Sequence, residues 1–390
     1  MTTRISPLDE SSVLGRGLTL QSADNATLLL RDPQGATASY TDLMSAYGAV
    51  NFGHLNPLIT PHIDLTADIA AGVYPPEAAT FAEWLTDRLG LPGHQVLFQV
   101  GGSFAVSSAL AIAQRVRPGK VLALEGAFHG LGLDTLAATR THRELALQNT
   151  VFTAAVDPLV THLRPGAEFG GWDDVSCFVF EPVQGANGYV PIDPEWLTAT
   201  VAAARRAGVV VVADEIQAGY HRHGHLSPTR ALGIDADIHL FGKSMTNGLY
   251  PLSAVVYPKA FDASAGTALA LAHTFQTGVL GFRAAAAVAA WIDQGLLGDL
   301  VGEVSEALAL CAKRLGEIPA VRDLHTTGPA LSFGHPRAKD VVRGCVRRHI
   351  LPFTGGATGD RIRVAPPLTI PRGQLADALD VLVQEVEQTV

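Results

Sequence analysis

Residues 208–217 read GVVVVADEIQ, an unbroken β-branched run that ends in two acidic residues. An apolar run without polar alternation is typical of a strand that is buried on both faces of a sheet. Further apolar runs follow the same pattern, with helical segments between several of them: VLFQV at 96–100, KVLALEG at 120–126, CFVFEPV at 177–183, DIHLFGK at 237–243 and LSAVVYP at 252–258. This arrangement predicts an α/β fold whose mostly parallel sheet is covered by helices on both faces.

The length of the chain predicts more than one domain. Its 390 residues exceed what one hydrophobic core usually organises. We expect an N-terminal segment at 1–53, a large domain at 54–285 and a smaller α+β domain at 286–390. The turn composition DPQG at 32–35 lies between two apolar stretches, which predicts a short hairpin. We expect this N-terminal segment to join the small domain.

Composition excludes several classes of protein. The formal net charge of -9 and the lack of a basic stretch argue against a nucleic-acid partner. The longest apolar stretch, at 284–292, is too short to span a membrane, and the first ten residues lack the apolar run of a signal peptide. Three widely spaced cysteines support neither a disulfide framework nor a metal knuckle. These features together predict a soluble, cytoplasmic protein with no metal.

Polar residues follow several of the predicted strands. Gly101, Gly102 and Ser103 form a turn before a helix, which suits either a phosphate group or an ordinary helix cap. Asp214 ends a buried strand, where a carboxylate needs a partner, and a structural capping role is the competing interpretation. Lys243 follows another buried strand, where a lysine can form imines, although an isolated loop lysine is more often simply exposed. Because parallel strands end at one edge of a sheet, these groups should meet there.

A series of motifs occurs in a fixed order along the chain. They are YTDLMSAYGAVNFGHLNP from Tyr40, GGSFAVSSALAIAQR, EGAFHG, FEPVQG, VVADEIQAGYHRHG, FGKSMTNGLYPLSAVV, HTFQTG and RIRVAPPL. The series resembles the class III pyridoxal-5'-phosphate (PLP)-dependent aminotransferases of fold type I, from about Thr27 to Leu368. The interval of 29 residues between Asp214 and Lys243 is similar to that family's.

The resemblance implies roles around the cofactor ring. Lys243 would be the Schiff-base lysine that holds PLP as an aldimine, and Asp214 would face the pyridine nitrogen. A nearby carboxylate favours the protonated ring by about 1–3 pK units, which makes the ring a better electron sink. Gln217 would reach the phenolic oxygen of the cofactor. Phe128 and Ile216 would pack on the two faces of the ring.

The resemblance also implies how the phosphate and the substrate are bound. Gly101, Gly102 and Ser103 would bind the phosphate, and Thr274 would complete the phosphate site from a neighbouring subunit. That role for Thr274 implies a homodimer with shared active sites. Arg363 would bind a substrate carboxylate through two parallel hydrogen bonds, and an arginine that pairs structurally with an acidic side chain is the alternative.

The chain departs from the family pattern at several positions. Phe104 stands where the family usually has an acidic residue, and Ala186 replaces a glutamate that in some relatives pairs with the substrate-binding arginine. We hypothesise that Arg363 therefore has no such gate. His221 and His223 are additions to the loop HRHGH, and we expect them to be polar loop residues near the mouth of the pocket rather than metal ligands. These changes suit an enzyme of a specialised biosynthetic pathway.

The function that follows is ping-pong transamination between an amino acid or amine and a keto acid, both of them small molecules. Lys243 would move a proton between the substrate Cα and the cofactor. Two alternatives stay open. In one, the same cofactor would support racemisation, decarboxylation, aminomutation or carbon–carbon bond formation. In the other, the chain would be a non-catalytic binding subunit with a PLP-enzyme fold, which the joint presence of Lys243, Asp214, Gln217 and Ser103 argues against.

Overall fold

The computed structural model describes residue 14 and residues 18–70, 72–141, 151–262 and 271–389. The strands are β1 (Thr19–Asp24), β2 (Thr27–Arg31), β3 (Thr37–Asp42), β4 (His94–Val100), β5 (Lys120–Leu124), β6 (Val160–Leu163), β7 (Val175–Phe180), β8 (Val183–Gln184), β9 (Val190–Pro191), β10 (Val210–Asp214), β11 (Ile238–Phe241), β12 (Leu252–Pro258), β13 (Arg322–Thr326), β14 (Leu331–Gly334), β15 (Ile350–Leu351), β16 (Phe353–Gly355) and β17 (Arg361–Val364).

Helices connect these strands. The α-helices span Pro76–Leu89, Gly102–Val116, Leu133–Ala138, Val151–Val156, Pro194–Arg206, Pro228–Ala231, Val279–Ile292, Leu297–Gly316, Ala338–Arg347 and Arg372–Gln388. Short 3-10 helices span Thr60–His62, Asp157–Leu159, Trp172–Asp174, Lys243–Thr246 and Thr274–Thr277. Ser45–Gly48 forms one further turn, and all four of its residues have a positive φ.

The large sheet has seven strands in the order β4-β12-β11-β10-β7-β5-β6. The pairs β11–β10, β10–β7, β7–β5 and β5–β6 are parallel, whereas β12 is antiparallel to both β11 and β4. The predicted α/β fold with a mostly parallel sheet is therefore confirmed. Strand β6 was not recognised in the sequence, because its four residues, VTHL, include a threonine and a histidine that break the apolar run.

Both faces of the sheet are buried, which explains the continuous apolar runs. Successive side chains of a strand point to opposite faces. Val210 and Val212 of β10 pack with the helix Gly102–Val116, while Val211 and Ala213 pack with the helix Pro194–Arg206. A polar residue at any of these positions would lie in the core on one face of the sheet or the other. Polar and apolar residues therefore do not alternate along β10.

The N-terminal strands form a second sheet in the order β1-β2-β3-β15. β2 and β3 are antiparallel and confirm the predicted hairpin, whose turn is closed by a hydrogen bond from Ala36 N to Asp32 Oδ1 at 2.9 Å. Gly35 occupies the turn with φ 93°, a conformation that favours glycine. β3 is parallel to β15, so the N-terminal segment pairs with a strand from the C-terminal part of the chain.

The C-terminal part contains a third sheet in the order β13-β14-β17-β16, whose pairs are all antiparallel. The helices Leu297–Gly316, Ala338–Arg347 and Arg372–Gln388 pack on it around one apolar cluster. The preceding helix, Val279–Ile292, runs across the predicted boundary at residue 285 and packs instead with side chains of β4, β11 and β12. We therefore propose that the small domain begins after Ile292.

Within the described ranges, no helix by itself has the length and apolar character needed to cross a membrane. Val279–Ile292 and Leu297–Gly316 reach that threshold only when taken as a pair, and the two helices are bent by 81° relative to each other.

Candidate active site

A cavity of about 1240 Å³ lies at the carboxyl edge of the large sheet. Strands β4, β5, β7, β10 and β11 all end at this edge because they run in the same direction, and ligands of open α/β sheets bind at such edges. The predicted site residues that line the cavity are Gly101, Gly102, Ser103, Phe128, Asp214, Ile216, Gln217, Lys243 and Arg363. Thr274 is the one predicted site residue that does not line it.

Asp214 is the last residue of β10 and is 4% exposed. Its Oδ2 lies 2.7 Å from Nδ1 of the fully buried His129, and its Oδ1 accepts a hydrogen bond from Ile216 N at 3.2 Å. Burial opposes a charge on His129, but the hydrogen bond and the negative charge of Asp214 outweigh it, so the pKa of His129 is raised. The carboxylate that the sequence singled out is therefore paired with a histidine and oriented toward the cavity.

Lys243 is half-buried in the cavity wall and directly follows Gly242 after β11. Burial lowers the pKa of its ammonium group, and the charges of Asp214 and Glu181 only partly oppose that change. Its backbone has φ 48°, a strained conformation for a residue with a side chain. Such strain is typical of functional positions, where the surrounding structure holds a side chain in place.

The turn between β4 and the next helix forms another part of the wall. Gly101 has φ 89°, and the helix begins at Gly102, so the first N–H groups of that helix have no partner within the helix, and the turn that carries them lines the cavity. A Cβ on Gly102 would lie 3.1 Å from the side chain of Ile216. A Cβ on Gly130 would lie 2.4 Å from Ser103 Oγ, so Ser103 packs directly against glycine backbone. The N-terminus of a helix favours an anion, and the turn at Gly101–Ser103 places one beside the cavity.

Gln217 connects the cavity to the N-terminal segment. Its Nε2 donates to the backbone oxygen of Tyr47 at 2.9 Å. A Cβ on Gly185 would lie 1.5 Å from Gln217 Oε1, so a larger residue at position 185 would force the Gln217 side chain to move. Phe128 and Ile216 also line the cavity, at the ends of β5 and β10.

Arg363 lies on β17 and is 4% exposed. Nη1 donates to Gly185 O at 2.7 Å, while Nε and Nη2 donate to Thr354 O at 3.1 and 2.7 Å. The guanidinium carbon lies 4.2 Å from the centroid of the Phe353 ring. These contacts hold the guanidinium in the part of the wall that β17 contributes, in the same cavity as Lys243 and Asp214.

Two predictions about loop residues concern positions outside the cavity lining. Thr274 is exposed on the short helix Thr274–Thr277. His223 is buried, with Nδ1 at 2.7 Å from Thr327 Oγ1, and neither it nor His221 lines the cavity. Our expectation of polar loop residues at the pocket mouth was wrong, because the loop folds beneath the turn at Gly328. Within the described ranges, no three His, Cys, Asp or Glu side chains are grouped to hold a metal ion.

Three further residues of the cavity wall contribute to the site, although the sequence assigned them no role. His129 pairs with Asp214, Glu181 is 5% exposed at the end of β7, and the hydroxyl of Tyr47 is buried without a hydrogen-bond partner among the described residues. Glu181 was visible as a polar strand end in FEPVQG, and His129 follows the predicted Phe128 directly. Tyr47 carried no comparable signal, because its place depends on the left-handed turn at Ser45–Gly48.

Comparison with known proteins identifies the family to which this chain is similar. The family model described as aminotransferase class-III matches residues 16–386. A 2-aminoadipate transaminase from Pseudomonas putida is 25% identical, covering 97% of each chain, and an acetylornithine aminotransferase from Gloeobacter violaceus is 27% identical, covering 90% of each.

Solved structures share the fold. The ornithine aminotransferase from Toxoplasma gondii ME49 superposes with a TM-score of 0.84 at 20% identity, covering 95% of this chain and 91% of that one. The taurine:2-oxoglutarate aminotransferase from Bifidobacterium kashiwanohense, in complex with PLP and glutamate, also has a TM-score of 0.84 at 20% identity, covering 96% and 93%. The fold is thus that of the fold type I aminotransferases. Because the family model spans nearly the whole sequence, the chain belongs to the class-III aminotransferases, enzymes that use PLP to move an amino group between an amino acid or amine and a keto acid.

Proposed function

We propose that this enzyme transfers amino groups through Lys243, in two successive half-reactions, between amino donors and keto acids that carry a carboxylate. The observation that carries the proposal is the shared cavity of Lys243 and Asp214. They follow the neighbouring parallel strands β11 and β10 and line one cavity together with the Gly101–Ser103 turn. PLP requires two polar groups from its protein, an amine for its aldehyde and a carboxylate for its ring nitrogen. Lys243 and Asp214 supply these two groups.

The residues of the cavity fit PLP. The accessible N–H groups that follow Gly101, together with Ser103, suit its phosphate. The buried Asp214 suits a protonated ring nitrogen, and Lys243 lines the same cavity, where its amine could meet an aldehyde. When bound, PLP supplies an aldehyde that condenses with amines and a ring that withdraws electrons from the substrate amino carbon.

Asp214 and its neighbours orient and polarise the ring. We propose that Asp214 keeps a proton on the ring nitrogen, and that His129 holds the carboxylate in place through the 2.7 Å contact to Oδ2. Gln217, anchored at Tyr47 O, would direct its side chain to the phenolic oxygen. Phe128 and Ile216 would cover the two ring faces and exclude water.

Lys243 acts as the acid–base group at the substrate amino carbon. A lowered pKa increases the fraction of neutral amine near neutral pH, and a neutral amine can accept a proton. Lys243 would remove the proton from the amino carbon in the first half-reaction and return a proton there in the second. The strained backbone at Lys243 would help to hold Nζ toward that carbon.

Arg363 supports a substrate with a carboxylate. Its guanidinium is fixed by carbonyl oxygens and an aromatic ring, so its position in the cavity wall is set before a carboxylate binds. The relatives are named for 2-aminoadipate and acetylornithine, which are both amino acids. We propose the same general class of donor here, in a specialised biosynthetic pathway.

We propose that the enzyme is a homodimer in which Thr274 completes the phosphate site of the other subunit. Thr274 is exposed on its own subunit, and exposed apolar side chains lie near it or near the cavity, among them Phe275, Phe104 and Leu131. A second copy covering them would bury apolar surface. We further propose a cytoplasmic location, since all three cysteines are buried free thiols.

The test is the visible absorption spectrum of the purified enzyme with PLP. We expect a band that disappears on adding an amino acid and returns on adding a keto acid. Lys243→Ala should lose both responses, whereas the control Lys259→Ala, an exposed lysine after β12, should keep them. A band in the wild type that no amine removes would contradict the proposal, as would retention of both responses in Lys243→Ala.

A further inference from the structure

Glu181 is a second buried carboxylate in the cavity wall, and the mechanism above gives it no task. It follows β7, is 5% exposed and lines the same cavity as Asp214 and Lys243. A buried carboxylate is costly unless its oxygens are hydrogen-bonded. The partners of its two oxygens therefore indicate what it stabilises.

Each oxygen of Glu181 binds a different segment of the backbone. Oε1 accepts a hydrogen bond from Phe128 N at 2.9 Å, and Oε2 accepts one from Gly185 N at 3.1 Å. Phe128 lies beyond β5, whereas Gly185 follows β8. One carboxylate thus fixes two loops that border the cavity from different directions.

The peptide of Gly185 carries this connection further. Its carbonyl oxygen accepts the 2.7 Å hydrogen bond from Arg363 Nη1. Gly185 also packs closely against the Gln217 side chain, since a Cβ built on it would lie 1.5 Å from Gln217 Oε1. Residue 185 is therefore held by Glu181 on its N–H and by Arg363 on its carbonyl.

We propose that Glu181 is a positioning residue that couples the two binding elements of the site. Through Phe128 it sets the aromatic wall for the cofactor, and through Gly185 it sets the guanidinium of Arg363 for the substrate carboxylate. This inference rests on the proposed function, because it takes the roles of Phe128 and Arg363 from there.

The protonation state of Glu181 decides how many of these bonds it can accept. Burial raises its pKa to about 7, the charge of His129 opposes this, and the charge of Asp214 adds to it. Lys243 is the other charged group that faces it. An ionised carboxylate accepts at both oxygens, whereas a protonated one turns one oxygen into a donor. Below about pH 7 the protonated oxygen is a poorer acceptor, so one of the two backbone bonds weakens and the coupling weakens with it.

Glu181→Gln reproduces the protonated state at every pH, because the amide has one acceptor oxygen and its NH₂ group opposes a backbone N–H. Glu181→Asp keeps the charge but is one methylene too short to reach both N–H groups. Glu195→Gln, an exposed glutamate in the first turn of Pro194–Arg206, is the matched control. KM and kcat are measured for an amino acid and for the amine of the same length that lacks its carboxylate. Visible circular dichroism of bound PLP is measured separately.

We expect Glu181→Gln and Glu181→Asp to raise KM for the amino acid roughly 10-fold, with little change for the plain amine, and to alter the dichroism of the bound cofactor. In the wild type, KM for the amino acid should rise as pH falls from about 8 to about 6, and this dependence should be absent in Glu181→Gln. A wild-type KM for the amino acid in Glu181→Asp would refute the positioning role, because it would show that the negative charge at residue 181 is sufficient.

Equal KM changes for both substrates, or a pH-independent KM in the wild type, would also overturn the inference. The wild-type pH series needs no variant to fold, so it decides the question even if Glu181→Gln is unstable. The proposed function fails separately, if the wild-type cofactor band does not respond to any amine. If the wild-type cofactor band responds to amines but the Glu181 variants keep the wild-type KM values, only the role of Glu181 is refuted and the proposed function stands.

Discussion

Arg222 joins three parts of the chain, and its replacement should destabilise the fold. The side chain is fully buried, and Nη2 donates to Pro329 O at 2.6 Å. Nη1 donates to Pro366 O at 3.0 Å, to Asn51 Oδ1 at 3.1 Å and to Ala365 O at 3.3 Å. Burial lowers its pKa to about 10, so it stays protonated at neutral pH. Arg222 thus links the N-terminal segment to two loops of the C-terminal part.

The size of the effect follows from these bonds. A hydrogen bond from a charged donor contributes about 1.5–3 kcal/mol, and the two shortest bonds, to Pro329 and Pro366, together give about 3–6 kcal/mol. Removing a buried charge offsets part of this loss. We expect Arg222→Met to lower the free energy of unfolding by about 3 kcal/mol. Arg222→Lys should lose about half as much, because one ammonium cannot reach both Pro329 and Pro366.

The assay is urea unfolding of the PLP-saturated enzyme, followed by tryptophan fluorescence, since Trp291 packs in the core against Phe52. The control is Arg206→Met, an exposed arginine at the end of Pro194–Arg206. A loss below about 1 kcal/mol in Arg222→Met, relative to that control, would show that the buried carbonyl groups find other partners, and the reasoning would be refuted.

Three further predictions concern the site and its surroundings. Gly185→Ala would place a Cβ 1.5 Å from Gln217 Oε1, so we expect a loss of about 1–3 kcal/mol in unfolding free energy and weaker PLP binding in a fluorescence titration; an unchanged unfolding midpoint would contradict this. Burial lowers the pKa of His223 to about 3, so the unfolded chain binds more protons below about pH 6.5 and stability falls from there toward about pH 3. The slope of unfolding free energy against pH in that window should be shallower in His223→Asn by up to about 1.4 kcal/mol per pH unit, and identical slopes would count against it. Ala186→Glu should bring a carboxylate near Arg363 and raise KM for amino acids roughly 10-fold more than for plain amines, and equal changes in the two KM values would show that no gate is restored.

Much of the site was predictable because it lies at strand ends. Asp214 ends an apolar run typical of a buried strand and Lys243 follows another, and parallel strands end at one edge of a sheet. Their common cavity therefore follows from local patterns. Glu181 could be placed at the same edge, but its role could not be predicted, because it depends on N–H groups of two distant loops.

The positions of loop residues could not be predicted from local sequence patterns. His223 sits in a polar-looking stretch, HRHGH, yet it is buried because the turn at Gly328 folds over it. The sequence distance between His223 and Thr327 is large, and no local pattern reports the contact. The same holds for Tyr47, whose place in the cavity depends on a left-handed turn that residues with side chains seldom adopt.

The amino-acid sequence by itself determined the α/β fold, the order of the strand-end motifs and the edge of the sheet at which the candidate site lies, since hydrophobic burial acts on every strand wherever its partners lie. Only the tertiary structure decided which groups pair across that edge: His129 with Asp214, and Glu181 with two separate backbone N–H groups. The burial of a continuous apolar strand follows from its own residues and can be predicted locally, whereas a hydrogen bond needs two groups at a set distance and angle, and those are set by the packing of the whole chain.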